Sequence, residues 1–213
     1  AMSPDLDTLL RQSEALHRHL CPRQVLGVRM GVYAGQLLAL DLPQADKRLH
    51  TFIETDGCFA DGVSVATGCW LGHRTLRLVD YGKVAATFVD SQTGQAVRIR
   101  PHLQSRQRAA AYAPGVTDRW RAQLVAYQVM PFEALFEVQA VALNLSMEAL
   151  ISRPGVRVNC AACGEEILNE REVILGGEAF CRSCAGEGYY RAMDGAITLT
   201  PAVGALFLSQ QPA

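Results

Sequence analysis

The sequence predicts an α+β protein, with helices packed on a mainly antiparallel sheet and a small treble-clef zinc module at the carboxyl end. Three observations carry that expectation. Two stretches with helical spacing of apolar residues, 4–20 and 22–40, open the 213-residue chain. Segments rich in β-branched and aromatic residues follow, two of them joined by a polar turn. Two Cys-x2-Cys pairs, Cys160/Cys163 and Cys181/Cys184, then mark a region of different character. The boundary falls in the linker "SRPG" at 152–155, giving a core of residues 1–152 and a zinc module of 153–213.

Ser3 and Pro4 offer an N-cap and a first-turn proline for the first helix. Leu6, Leu9, Leu10, Leu16 and Leu20 keep its spacing. Pro22 lacks an N–H and cannot continue that helix, but it suits the first position of a second one capped by Cys21. Inside the second helix Gly27, Gly31 and Gly35 recur every four residues. Each glycine costs about 1 kcal/mol relative to alanine, so three in register predict that another backbone passes close to this face. "RLHTFIET" (48–55) reads as a strand, and the segment from Cys58 through "VSVATGC" as a short helix. "TLRLVDYG" and "KVAATFVDSQTGQAVRIRP" read as strands, with Asp90 to Gly94 as a hairpin turn. Helical patterns return at 117–127 and 132–144, separated by Pro131.

Hydrophobic residues make up 49% of the chain and charged residues 19%, with a formal net charge of −1. The apolar runs fall short of a bilayer span, so no membrane association is expected. The opening residues lack a basic segment followed by an apolar one, and a cytoplasmic address is the expectation. Balanced charge leaves no electrostatic footprint for nucleic acid, and residues 153–213 carry more acidic than basic side chains. No nucleic-acid partner is therefore expected.

Chemistry concentrates in two places. Two residues between paired cysteines let one knuckle aim both sulfurs at a single ion. Two knuckles complete the tetrahedral four-thiolate shell of structural zinc, so Cys160, Cys163, Cys181 and Cys184 are assigned as ligands. "EEILNEREVILGGEAF" between them reads as a hairpin turning at Gly176-Gly177, and "CRSCAGEGYYRAM" as a short helix. With every position filled by sulfur, the ion holds the module together and has no place for substrate.

The second place is "HRHLCPRQVLGVRMG" at 17–31. A first helix running through Leu20 puts His17 and Cys21 on one face, with His19 joining if the end unwinds. Cys21 and Cys58 both stand at expected helix starts, where the positive helix end favours thiolate. Three readings stay open: a second transition-metal site, a redox thiol pair, or a buried Cys21 beside surface histidines. Cys69 reads as structural.

"HRHLCPRQVLGVRMG", "ETDGCFADGVSVATGCWLGH" and "DYGKVAATFVD" resemble successive motifs of the FmdE family, named for formylmethanofuran dehydrogenase. The resemblance spans roughly residues 13–145 and implies a dimeric α+β core with a cleft. In that cleft His17, His19, Cys21 and Cys58 would gather around a metal ion, with Lys83 and Asp56 at further motif positions. Arg23 stands where the family motif usually has glycine, and a cation there narrows the cleft or recruits an anion. Beyond the single four-cysteine set the chain offers no iron–sulfur series, and it shows no pterin motif, so alone it is not expected to be that dehydrogenase. The expected role is that of an accessory or subunit-like protein handling a metal ion or a metal-containing cofactor, with a partner protein implied. The alternative is a metal- or thiol-dependent enzyme with Cys21, Cys58, His17 and Lys83 as catalytic candidates.

Overall fold

The computed structural model describes residues 4–151 and 155–191. The Ser3 cap, most of the 152–155 linker and everything after Arg191 lie outside the described residues. Two compact units divide between Ile151 and Ser152.

The first unit contains α1 (Leu6–His17), α2 (Pro22–Leu38), β1 (Leu49–Ile53), α3 (Cys58–Thr67), β2 (Leu76–Leu78), β3 (Ala86–Asp90), β4 (Ala96–Pro101), α4 (Ser105–Tyr112), α5 (Arg119–Val129), α6 (Phe132–Leu135), β5 (Phe136–Ala140) and α7 (Met147–Ile151). Its sheet runs β2-β1-β3-β4-β5. Only the β1–β2 pair is parallel; the other three are antiparallel. The architecture is thus α+β, as the sequence predicts.

Helix α1 is shorter than the 4–20 expectation at both ends. Asp5 is its cap, accepting a hydrogen bond from the Thr8 amide at 2.8 Å. It stops at His17 because Arg18 takes a left-handed conformation (φ 63). His17 and Cys21 therefore share no helix face. Helix α2 starts where expected. The Gln24 amide donates to Cys21 Sγ at 3.4 Å, while the Cys21 amide donates to Gln24 Oε1 at 2.9 Å. This is a capping box with sulfur in the usual place of a hydroxyl. Gln24 is fully buried and donates onward to Ser13 O at 2.8 Å, fastening the front of α2 to α1.

The glycine stripe does admit a second backbone. A Cβ on Gly27 would lie 2.3 Å from Phe59 O, and one on Gly62 of α3 would lie 2.4 Å from Gln24 O. Gly31 faces Ala66 and Thr67 one turn further along. The contacts advance in the same direction on both helices, so α2 and α3 run side by side with their amino ends together. Gly35 faces Leu40 and Leu42, the chain's own return after α2.

Alternation in the strands separates two apolar layers. Leu49, Ile53, Ala86, Phe88 and Ile99 join α2, α3 and α5 in the main core. Phe52, Val89 and Ala96 form a smaller cluster on the other face, covered by Val141, Leu143 and Met147. Asp90 closes the β3–β4 turn, with Arg48 Nε and Nη2 donating to its two oxygens at 2.8 and 2.7 Å. Arg29 of α2 donates to the carbonyls of Tyr127, Gln128 and Met130 at the end of α5, and its guanidinium lies 4.5 Å from the Phe132 ring centroid.

Two expectations for this unit are corrected. Helix 132–144 is only the four-residue α6; from Phe136 the chain is strand, paired with β4 in the register Ile99↔Val138. Helix α4, over Ser105–Tyr112, has no counterpart in the sequence pattern.

The second unit contains β6 (Arg157–Asn159), β7 (Glu166–Leu168), β8 (Val173–Leu175), β9 (Glu178–Phe180) and a π-helical turn, Ser183–Glu187. The single hairpin expected over 165–180 is two half-hairpins: β7 pairs back with β6, and β8 pairs with β9 across Gly176-Gly177. The expected terminal helix is interrupted at Gly186 (φ 103), and its last residues lie outside the described ones.

Candidate functional site

Cys160 and Cys163 sit in the turn between β6 and β7, where Gly164 (φ 75) lets the chain double back and donate to Cys160 O at 2.9 Å. Cys181 and Cys184 follow β9 and enter the π-helical turn. The Ala161 amide donates to Ala179 O at 2.8 Å, bringing the two knuckles together. All four sulfurs lie within 4.8 Å of one another. A zinc–sulfur bond of about 2.3 Å makes the edge of the ligand tetrahedron roughly 3.8 Å, so the arrangement fits that ion with little adjustment. Electrostatics agree. Amide donors from Cys163 and Cys181 hold the Cys160 thiol down at about 6, while Cys181, Cys163 and Cys160 push Cys184 up to about 12. Four crowded thiolates need a dication to coexist.

In the first unit the parallel start of α2 and α3 brings Cys21 and Cys58 together. Both line a cavity of about 550 Å³ together with Arg23, His102, Arg106, Trp120 and Tyr127. Cys58 begins α3 after Gly57 (φ 73), the turn that ends "TDG". Its thiol is pushed up, first by burial and then by the hydrogen-bonded Cys21 thiol beside it. The direction at Cys58 is opposite to the thiolate expected at a helix start, because desolvation and a neighbouring sulfur both penalise the charged form.

Other candidates lie elsewhere. His17 Nε2 meets Asp61 Oδ2 at 2.5 Å, and the exposed His19 packs edge-on to it with centroids 6.2 Å apart. Neither ring lines the cavity. Lys83 is exposed, its Nζ 5.6 Å from the Tyr81 centroid, and Asp56 is exposed too. Cys69 is buried and donates to Leu49 O at 3.3 Å. Among the described residues, the zinc-module cysteines alone bring three or more metal-ligating groups within mutual reach. His102, Arg106 and Trp120 arrive from α5 and the β4–α4 segment and carry no local signal for a site in the sequence.

An α+β domain with a thiol-lined cavity, joined to a four-cysteine centre, defines a metal-binding protein with a C4-type zinc finger. Residues 16–137, more than half of the chain, match the family described as "FmdE, Molybdenum formylmethanofuran dehydrogenase operon", and the chain belongs to it. Residues 154–190 match the prokaryotic dksA/traR C4-type zinc finger. A crystal structure of a tungsten formylmethanofuran dehydrogenase FmdE-like protein from Syntrophus aciditrophicus superposes with a TM-score of 0.56. That alignment covers 89% of this chain and 96% of the other at 19% identity, which establishes likeness of fold. A "Probable S-adenosyl-L-methionine-binding protein" of Archaeoglobus fulgidus is 37% identical over 97 residues, 44% of this chain. The match spans 26% of that protein's length. No helix among the described residues is long and apolar enough to cross a membrane.

Proposed function

We propose that the protein is an accessory, subunit-like member of its family whose Cys21/Cys58 cavity handles a metal ion or a metal-containing cofactor, while the four-cysteine centre is structural. The carrying observation is the convergence of two thiols from separate helix starts on one cavity. Asp61 engages His17 through Nε2, so Nδ1 is the ring nitrogen not held by the carboxylate, the arrangement of a carboxylate-oriented ligand. A third ligand from His17 or His19 requires the 17–20 segment to turn toward the sulfurs. Because Cys58 is protonated at neutral pH, loading releases protons and weakens as pH falls.

Metal analysis of the purified full chain tests this reading. Two ions per chain are expected, falling to one in Cys21→Ser and in Cys58→Ser with the zinc module intact. One ion in the parent, unchanged in both variants, overturns it. Sedimentation at twice the chain mass is the expected result for the homodimer that the family resemblance implies.

A second reading is a metal- or thiol-dependent enzyme, favoured by a cavity in the volume range of small-molecule sites rather than of a bare ion. In it Cys21, Cys58 and, once the 17–20 segment turns inward, His17 would hold a metal that would supply an activated water.

A further inference from the structure

The cavity's charge is one-sided. Its lining carries Arg23 and Arg106 and no aspartate or glutamate, in a chain with 21 acidic residues. Five other arginines are paired: Arg11 with Asp7, Arg48 with Asp90, Arg98 with Glu54, Arg100 with Glu137 and Arg157 with Glu166. Arg23 and Arg106 have no carboxylate partner among the described residues. Both are exposed at the cavity, so their charge is available to an incoming group.

The backbone adds the same sign. Lining residues come from the first turns of α2, α3, α4 and α5, namely Arg23, Cys58, Arg106 and Trp120. Helices α3 and α4 carry no side-chain cap, so their leading amides lack that internal acceptor, whereas Cys21 caps α2 and the Asp118 carboxylate caps α5. The remaining wall offers a flat surface: Trp120 is half-exposed beside Leu26, Val84 and Leu103. An anion entering this space would neutralise both guanidiniums.

We propose that the cavity binds a small organic anion, a phosphate or carboxylate carried on a planar ring, with Arg23 and Arg106 gripping the anion and Trp120 covering the ring. This deepens the reading of the thiol cavity as the functional site: the ligand presented to Cys21 and Cys58 is negatively charged. Guanidinium forks match both phosphate and carboxylate, and stacking on indole selects a ring over a free inorganic anion.

The test titrates the full chain with phenyl phosphate, benzoate, inorganic phosphate and benzyl alcohol, read by calorimetry. Phenyl phosphate or benzoate should bind at least tenfold more tightly than neutral benzyl alcohol, and their ranking identifies the anion. Arg23→Gln and Arg106→Gln should each weaken that binding about tenfold, while Arg11→Gln on α1 leaves it unchanged. Trp120→Leu should weaken phenyl phosphate and spare inorganic phosphate. Equal binding of benzyl alcohol, or arginine variants that titrate like the parent, overturns the proposal. The metal count of the same samples separates the two claims. Anion binding with one ion per chain sinks the metal reading alone; two ions per chain without anion binding sinks this one alone.

Discussion

The two cysteine sites are built by opposite means. In the second unit, four sulfurs are gathered by short turns around almost no core; Cys160 and Ile167 are its buried apolar residues among those described. In the first unit, two sulfurs are set by the packing of α2 on α3, at the edge of an apolar core. A site of the first kind folds with its metal, and a site of the second kind exists before any ligand arrives. The two sites are therefore vulnerable at different points: one through its ligands, the other through its glycines.

The largest effect expected is metal removal. Chelation, or Cys181→Ser, should unfold residues 155–191, since structural zinc supplies on the order of 10 kcal/mol of folding free energy to small modules. Hydrogen exchange should show that loss while β1, β3 and β4 keep their protection. Equal loss in both units would break the contrast. Next comes Gly27→Leu, whose Cβ meets Phe59 O at 2.3 Å. Forcing α2 from α3 should cost about 3 kcal/mol in urea denaturation and leave the zinc module unaffected.

Asp90→Asn should be somewhat milder, about 2 kcal/mol, because it weakens a hydrogen-bonded pair whose Arg48 partner is partly exposed. The Arg48 guanidinium, with Gln92 N and Thr93 Oγ1, holds the Asp90 carboxyl well below its ordinary 3.8. A depressed carboxyl contributes stability above its unfolded value and loses it as pH falls toward the folded one. Acid titration of the parent should therefore show a loss of stability beginning near pH 4 that Asp90→Asn lacks. The smallest effect concerns Cys58. Burial and the Cys21 thiol raise its pKa, so Cys21→Ala should speed Cys58 alkylation about threefold at neutral pH, read by mass spectrometry. No change would mean that burial alone governs the thiol.

Much of the local architecture is legible because it depends on neighbours in sequence. Cys21-Pro22 announces a helix start, the glycine stripe announces a close backbone, and Asp90 to Gly94 announces the β3–β4 turn. Strand β5 reads as helix although Phe136, Val138 and Ala140 alternate with Glu137 and Gln139. The preceding helical residues mask that period of two, and pairing with β4 decides it. Helix α4, "SRQRAAAY", has no apolar stripe to reveal it. The convergence of Cys21 with Cys58 follows from the glycine crossing, but Arg106 and Trp120 reach the same cavity only through tertiary packing. No spacing rule records such a meeting.

Arg29 fastens two walls of that cavity to each other. It belongs to α2, which carries Cys21, and its guanidinium collects three carbonyls where α5, which carries Trp120, comes to an end. The thiol and the indole are thus bolted to one frame, and a guest resting on the ring meets sulfur at a distance fixed in advance. Loosening this single bolt would turn a rigid jig into a hinge, leaving every residue that touches the guest in place while blurring their alignment.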